Sequence, residues 1–367
     1  MTIPARLFLL ACGIVLVAAP GHAQDGPRRP IEPPAAATFP EARRGMGLGR
    51  GLLEPPRSAM PIPGWVQETV TRSVELGPRG IFVLKNSVGE VRITGTDGNT
   101  VKVTAIKRVK EQSKDTGRAL LQNISIRVTE RGGGVEVFTE NAPGNMTPTL
   151  VDYEVSLPTA AQVTVTNTGT VRIQNVKGEL RAEAFQGNIW LVNVGRVRQA
   201  KTYGTPINNI PSGNILIMGA EGEEVSAEAT FNAAIQLRNI RARNVELRVL
   251  NGSISASNVD CEACEFNSFG GDIEFSGALR RNARYDVVSS SGHIRMFLDG
   301  NVGFDLEAVG GPIRVAPDFQ LKQTPSPSPS SSGRSLLGTS GDASAILSLR
   351  TFTGSITVAK PAAGGPR

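Results

Sequence analysis

The sequence is poor in the side chains that hold metal ions or carry redox chemistry. Its 367 residues include three cysteines and two histidines. Cys12 and His22 lie in an N-terminal segment that we expect to be removed, as argued below. Two cysteines and one histidine then remain, too few for the usual histidine- and cysteine-rich metal sites. We therefore expect neither a metal ion nor a cofactor.

Long apolar runs and blocks of like charge are also lacking. No segment after the N-terminus is long and apolar enough to form a membrane helix. The net charge of +6 is spread along the chain, without the basic block expected of a nucleic-acid-binding arm. Aromatic residues make up only 5% of the chain, whereas glycine (41 residues) and proline (24 residues) are abundant. This composition indicates short strands joined by sharp turns.

Residues 1–23 have the features of a secretory signal peptide. Arg6 supplies the positive charge, residues 7–19 form a short apolar run, and residues 21–23 provide small residues before a cleavage point. A lipid anchor on Cys12 is the alternative, but it would leave too short an apolar run. We expect an extracytoplasmic protein (periplasmic, cell-surface or secreted) with no transmembrane segment after signal cleavage.

Composition divides the rest of the chain. Residues 24–63 contain nine prolines and should form a disordered linker rich in Pro, Gly and Arg. Residues 64–160 predict an N-terminal β region with one short helix near 114–122. Residues 161–360 predict a solenoid with a low-complexity loop at 322–343, and residues 361–367 form a tail.

A short motif recurs about every nineteen residues in the second half of the chain. It consists of a small residue, any residue, and then an anchoring Val or Ile. The anchors are Val171, Ile189, Ile215, Ile235, Ile254, Ile273, Ile294, Ile313 and Ile356. A similar motif, Gly89-Glu90-Val91, lies earlier in the chain.

The residues around each anchor predict a strand followed by a corner. A second apolar residue follows at anchor plus two, so both side chains point to one face of a strand. Asn or Gly stands at plus four in most repeats, and these residues tolerate the left-handed backbone of a tight corner. The sequence therefore predicts an all-β fold, a single-chain parallel β-solenoid. Ile235, Ile254 and Ile273 should lie on neighbouring parallel strands, and corner asparagines should form a ladder.

The ends of this stack need protection, because an open sheet edge can pair with another chain. We expect the irregular strands of residues 65–160 to cap one end. The last strands, near residues 344–350 and 354–358, should close the other.

The pattern resembles the bacterial putative-adhesin family of extracytoplasmic β-solenoid domains. The residues that carry the resemblance are the segment Lys85–Ile93 and the later Gly-x-Ile repeats, across roughly residues 68–360. The resemblance implies a cell-envelope or surface protein without a catalytic signature.

One group of outward positions is apolar, unlike most of that face. Trp190 and Leu216 share one outward column, and Val192 and Met218 share the next. Such a patch indicates contact with a partner, an envelope protein or a glycan. The N-terminal strands or the helix could instead cover it.

The alternative function is that of a polysaccharide-acting β-helix enzyme, which would use clustered carboxylates. Asp272 and Glu274 form the best outward pair. A polar column of Ser253, Asp272 and His293 lacks the order of a hydrolytic triad, because Asp rather than His lies in the middle. We therefore assign no catalytic residue and favour a binding or structural module.

Cys261 and Cys264 have the spacing of a redox motif but lack its strand-to-helix context. A local disulfide at a corner is the preferred interpretation in an oxidising compartment. Two reduced thiols remain the alternative, because so short a loop strains the bridge.

Overall fold

The computed structural model describes residues 63–142, 148–205, 207–324 and 334–361. The predicted signal peptide, almost all of the predicted linker and nearly all of the tail lie outside the described residues, as does the centre of the predicted low-complexity loop. Within the described residues the chain forms strands, one α-helix, α1 (Lys114–Asn123), and a short 3₁₀ helix (Pro317–Phe319). The all-β fold class is confirmed.

One set of strands builds a sheet that we call sheet A. In chain order its strands are β1 (Trp65–Glu75), β3 (Val91–Thr96), β4 (Thr100–Lys110), β7 (Thr149–Pro158), β9 (Val171–Gln174), β11 (Ile189–Val194), β15 (Ile254–Asp260), β17 (Ile273–Ala278), β19 (Ile294–Asp299), β21 (Ile313–Val315) and β25 (Ile356–Ala359). Strand β3 begins with Val91, and strands β9, β11, β15, β17, β19, β21 and β25 each begin with an anchor of the repeat, whereas β1, β4 and β7 carry none.

A second set builds sheet B. Its strands are β2 (Ile81–Asn86), β5 (Ser125–Arg131), β6 (Gly134–Glu140), β8 (Gln162–Thr168), β10 (Leu180–Phe185), β12 (Val197–Tyr203), β16 (Ala263–Ser268), β18 (Arg284–Ser289), β20 (Phe304–Gly310), β22 (Lys322–Thr324), β23 (Arg334–Ser340) and β24 (Ala345–Thr351). Two long strands, β13 (Ile215–Ala229) and β14 (Ile235–Val249), contribute to both sheets.

The central strands form the predicted parallel solenoid. Ile235 pairs in register with Ile254, and Ile254 pairs with Ile273. Each rung runs along sheet B, turns at the glycine of the motif, and returns along sheet A. The inward side chains of the two sheets meet in one core, where Phe275 of sheet A contacts both Phe266 and Tyr285 of sheet B.

The glycine of the motif lies where the backbones of successive rungs approach each other closely. A Cβ placed on Gly271 would lie 1.9 Å from the carbonyl oxygen of Gly252, and one on Gly292 would lie 2.0 Å from that of Gly271. A side chain would therefore force the two backbones apart. Ser268 and Ser289, three residues before Gly271 and Gly292, secure these turns. Ser268 Oγ accepts the Gly271 N–H and donates to the Gly252 carbonyl, and Ser289 Oγ makes the same two bonds to Gly292 and Gly271.

Asparagines turn the opposite corner, as predicted. Asn175, Asn193, Asn239 and Asn258 all have left-handed backbones, with φ between 53° and 58°. Their side chains join neighbouring rungs, because Asn193 Nδ2 donates to Asn175 Oδ1 at 2.7 Å and Asn258 Nδ2 to Asn239 Oδ1 at 2.8 Å. The predicted asparagine ladder is confirmed in these two steps.

The N-terminal end differs from the prediction, because part of the expected cap is a rung of the stack. The motif residue Val91 pairs with Val171 on one side and with Tyr153 on the other. Strand β3 therefore lies between β7 and β9. Antiparallel strands β4 and β1 extend sheet A beyond β7. Helix α1 packs mainly on these two strands and adds Leu121 to the core.

At the C-terminal end the expected closure is wrong. Strands β24 and β25 do not close the stack, because Ile356 pairs with both Ile294 and Ile313. This last rung in sequence is inserted between β19 and β21. Antiparallel strands β23 and β22 extend sheet B at that end, so the predicted loop at 322–343 contains two short strands. All rungs carry the same motif, and the motif therefore cannot encode their order.

A Gly271→Ala substitution tests the close approach of the rungs. The new methyl group would meet backbone rather than a flexible side chain, so we expect it to lower the free energy of unfolding by about 2 kcal/mol. Urea unfolding measures the change. Ser253→Ala, at a partly exposed motif position, is the control and should have little effect; equal stability of both variants would contradict the tight glycine column.

Tyr153 links stability to alkaline pH. Burial raises its pKa to about 12, although the hydrogen bond with Thr139 acts in the opposite direction. The stabilisation is complete below the unfolded pKa of about 10 and is lost as pH rises towards 12. We expect Tyr153→Phe to lose less stability than the parent between about pH 9 and pH 11 in urea unfolding. Identical losses in the two proteins would contradict this assignment.

Candidate binding surfaces on the solenoid

The four apolar residues singled out in the sequence lie together on the outer face of sheet A. Trp190 pairs in register with Leu216, and Val192 pairs with Met218. All four side chains are half-buried. We call these four residues the sheet A patch.

Arginines border the sheet A patch on both sides along the stack. On the N-terminal side, the Arg172 guanidinium carbon lies 3.4 Å from the centroid of the Trp190 ring, a cation–π contact. Arg172 is itself paired with Glu90. On the other side, Arg238 is the register neighbour of Met218 and is exposed. The patch is therefore an apolar area within a charged face.

The N-terminal strands and the helix, which the sequence left as possible covers of the patch, do not lie over it in the described structure. Strands β1 and β4 extend sheet A at its edge, and α1 packs chiefly on these two strands. Lys107 fixes the helix by donating to the carbonyl oxygens of Leu121 and Ile124. The helix therefore belongs to the end of the stack, several strands away from Trp190.

A second apolar surface escaped the sequence analysis. It follows the corner that joins sheet B to the glycine turns, and we call it the corner ridge: Phe185, Tyr203, Leu250, Phe269 and Phe352. Phe269 is 63% exposed and Phe352 is 71% exposed. At one end the Phe185 and Tyr203 rings stack with centroids 4.5 Å apart. The missed signal was a large apolar residue two positions before the motif glycine, as in Phe269-Gly270-Gly271.

The polar column weighed as a triad is a set of contacts between rungs. Asp272 Oδ1 accepts the backbone N–H of His293, and its Oδ2 is 3.0 Å from Arg295 Nη1. His293 Nδ1 accepts the backbone N–H of Ser355 and lies 2.8 Å from its Oγ. Insertion of the last rung thus places a serine beyond His293, which the sequence did not predict. Asp272 is bound to backbone and arginine, not to the imidazole, so these contacts do not form the relay of a triad.

The family of the chain is shown by a family model that matches most of its length. The model, described as Toastrack DUF4097, matches residues 82–359, which include strands β2 to β25 except for Ile81, the first residue of β2. The chain belongs to the Toastrack DUF4097 family. The predicted resemblance to a family of adhesin-like β-solenoids is confirmed. No curated protein matches this Toastrack chain.

Solved structures resemble the Toastrack chain distantly. A putative adhesin from Bacteroides fragilis is 15% identical, with a TM-score of 0.39, and the match covers 79% of this chain and 97% of that one. A putative lipid binding protein from Parabacteroides distasonis is 11% identical, with a TM-score of 0.38 and coverage of 80% and 97%. A putative adhesin from Parabacteroides merdae is 10% identical, with a TM-score of 0.37 and the same coverage. Scores this low carry no conclusion about ligands.

The described residues contain neither a membrane-spanning helix nor a cluster of metal-binding side chains. No helix there combines the length and hydropathy required to cross a membrane. No group of three or more His, Cys, Asp or Glu side chains in the same part of the chain could hold a metal ion.

Two of the three cysteines of the chain form a disulfide. Cys261 and Cys264 are bonded, with Cα atoms 6.2 Å apart, and both side chains are buried. Cys264 lies on the inward face of β16, between Val245 and Tyr285 of neighbouring rungs. The bridge therefore ties the segment before β16 to the core.

We expect the double variant Cys261→Ala, Cys264→Ala to lower the free energy of unfolding, because the unfolded chain gains freedom when the bridge is removed. The loss should be only about 2 kcal/mol, because the bridge closes a very short loop. Alkylation of the unfolded protein without reductant provides the chemical check. An exported sample should remain unmodified, and after reduction it should take up two alkyl groups. Two reactive thiols before reduction would contradict the disulfide.

Proposed function

We propose that this chain is a non-catalytic, extracytoplasmic binding module, adhesin-like in function. It presents the sheet A patch to an envelope protein or a glycan. The observation that carries the proposal is the position of Trp190, Val192, Leu216 and Met218 on two adjacent outward columns of a rigid sheet. Aromatic and methionine side chains are enriched in interface cores.

The scaffold supports a binding role because its contacts hold the patch in a fixed geometry. The inward neighbours of the patch residues have at most 1% of their surface exposed; they are Ile189, Leu191, Ile215 and Ile217. Their strands are parallel partners in register. A partner that binds this surface therefore loses little conformational freedom in ordering it.

Localisation outside the cytoplasm rests on separate features. The predicted signal peptide at residues 1–23 supports export. A disulfide between the two remaining cysteines also suits an oxidising compartment.

The alternative of a polysaccharide-acting enzyme receives less support. Asp272, one of the two carboxylates considered, bonds to the His293 N–H and to Arg295. A carboxylate held in this way stabilises the stack, whereas a catalytic acid must reach the substrate. We therefore favour binding without turnover.

Sedimentation of the labelled mature protein with isolated cell envelopes tests the patch. We expect Trp190→Ala combined with Met218→Ala to weaken binding about tenfold, because the two changes remove the largest contact area of the patch. Phe297→Ala is a matched control, since Phe297 is half-buried on the same outward face but several rungs away. Unchanged binding of the double variant, or equal loss in the control, would contradict the proposal.

A further inference from the structure

A trough runs beside the corner ridge, on the sheet B side, across four rungs. Its volume is about 510 Å³, and it is open to solvent along its length. Leu250, Phe269 and Ser290 form the wall on the ridge side. The opposite wall consists of successive register neighbours on the outer face of sheet B, namely Glu228, Arg248, Asn267 and Val288.

The two walls differ in chemistry. On the ridge side, Leu250 is 47% exposed and Phe269 is 63% exposed. On the other side stand a carboxylate, a guanidinium and an amide, followed by the apolar side chain of Val288 at one end. A ligand that fits this trough must therefore offer apolar area to one wall and hydrogen-bonding groups to the other.

Contacts with neighbours hold the polar wall in place. Arg248 Nη2 lies 2.6 Å from Glu246 Oε1, and Asn267 Nδ2 donates to Glu265 Oε1 at 2.7 Å. Glu228 pairs with Lys201 at 2.9 Å. A guanidinium has five N–H donors, and a carboxylate has about four acceptor positions. These side chains are thus oriented while they retain capacity for a ligand.

We propose that the trough binds an uncharged carbohydrate chain. A sugar ring has C–H groups on its faces, which suit the Phe269 ring and the Leu250 side chain. Its hydroxyl groups lie at the edge, where they can accept from Arg248 and Asn267 and donate to Glu228. One positive, one negative and one neutral group line the wall, so a ligand without net charge suits it best.

A lipid surface fits these observations less well. Hydrocarbon pressed into the trough would cover Arg248 and Glu228 and remove them from water, which is costly for charged groups. An elongated glycan also matches the geometry, because the trough lies along the stack, and polar side chains stand on three successive rungs, about 4.8 Å apart. The repeat of the stack would thus face a ligand that is itself a repeating chain.

This inference goes beyond the proposed function, because it assigns a second surface, separate from the sheet A patch, and a chemical class of ligand. The trough lies on sheet B and its corner, whereas the patch lies on the outer face of sheet A. Each surface can therefore be inactivated without the other.

Titration calorimetry with the mature full chain tests the trough. The probes are neutral oligosaccharides (hexamers of glucose in β1,4 and α1,4 linkage and of N-acetylglucosamine), oligogalacturonate as an anionic sugar, and phosphatidylglycerol vesicles. We expect a neutral oligosaccharide to bind, and Phe269→Ala and Asn267→Ala each to weaken that binding about tenfold. Phe185→Ala is the matched control, as this phenylalanine lies in the same column, is 40% exposed and stands outside the trough; it should change affinity less than about twofold.

Three results would overturn the inference: no binding of any neutral oligosaccharide, equal weakening by Phe185→Ala, or binding only to vesicles or to the anionic sugar. The Trp190→Ala, Met218→Ala variant keeps the two proposals apart. If it loses envelope binding but no oligosaccharide binds the parent, the proposed function stands and the carbohydrate trough is wrong. If oligosaccharide binds the trough while the patch variant leaves envelope binding unchanged, the carbohydrate trough stands and the proposed function of the sheet A patch is wrong.

Discussion

The close approach of successive backbones at the glycine corner is the constraint on which the structure depends. Gly252, Gly271 and Gly292 bring each carbonyl so near the next rung that a methyl group there would overlap it. Because this contact fixes the rungs one above another, the anchors that follow are paired in register and buried. The aliphatic core, the asparagine corners and the flat outer columns all follow from this stacking.

Stacking also separates the stable part of the molecule from the part that can vary. Inward positions must fill a closed core and are almost uniformly aliphatic or aromatic. Outward positions meet solvent, so each column can carry its own chemistry without disturbing the fold. The sheet A patch and the trough beside the corner ridge lie in such columns. Function in this fold is therefore expected along the stack, on side chains that are distant in sequence.

Much of this arrangement could be predicted, and the errors have identifiable physical causes. The alternation of inward and outward side chains around Trp190 and Leu216 was sufficient to place the two side by side, because aligned motifs pair in register on neighbouring strands. The ridge was missed because Phe185 is the last residue of a strand and Leu250, Phe269 and Phe352 each lie just after one, where the alternation of inward and outward side chains no longer determines their direction. The contact of His293 with Ser355 was missed because it joins rungs that are 62 residues apart in the chain.

The sequence by itself determined which residues form a rung, which side chains point inward and where the chain turns. These properties are local, since they depend on alternation and on residues that tolerate a left-handed backbone. Only the tertiary structure decided the order of the rungs. Strand β3 lies between β7 and β9, and β25 lies between β19 and β21. Rungs that share the motif offer similar edges to their neighbours, so the local pattern permits several orders, and only the long-range pairing of the strands distinguishes them.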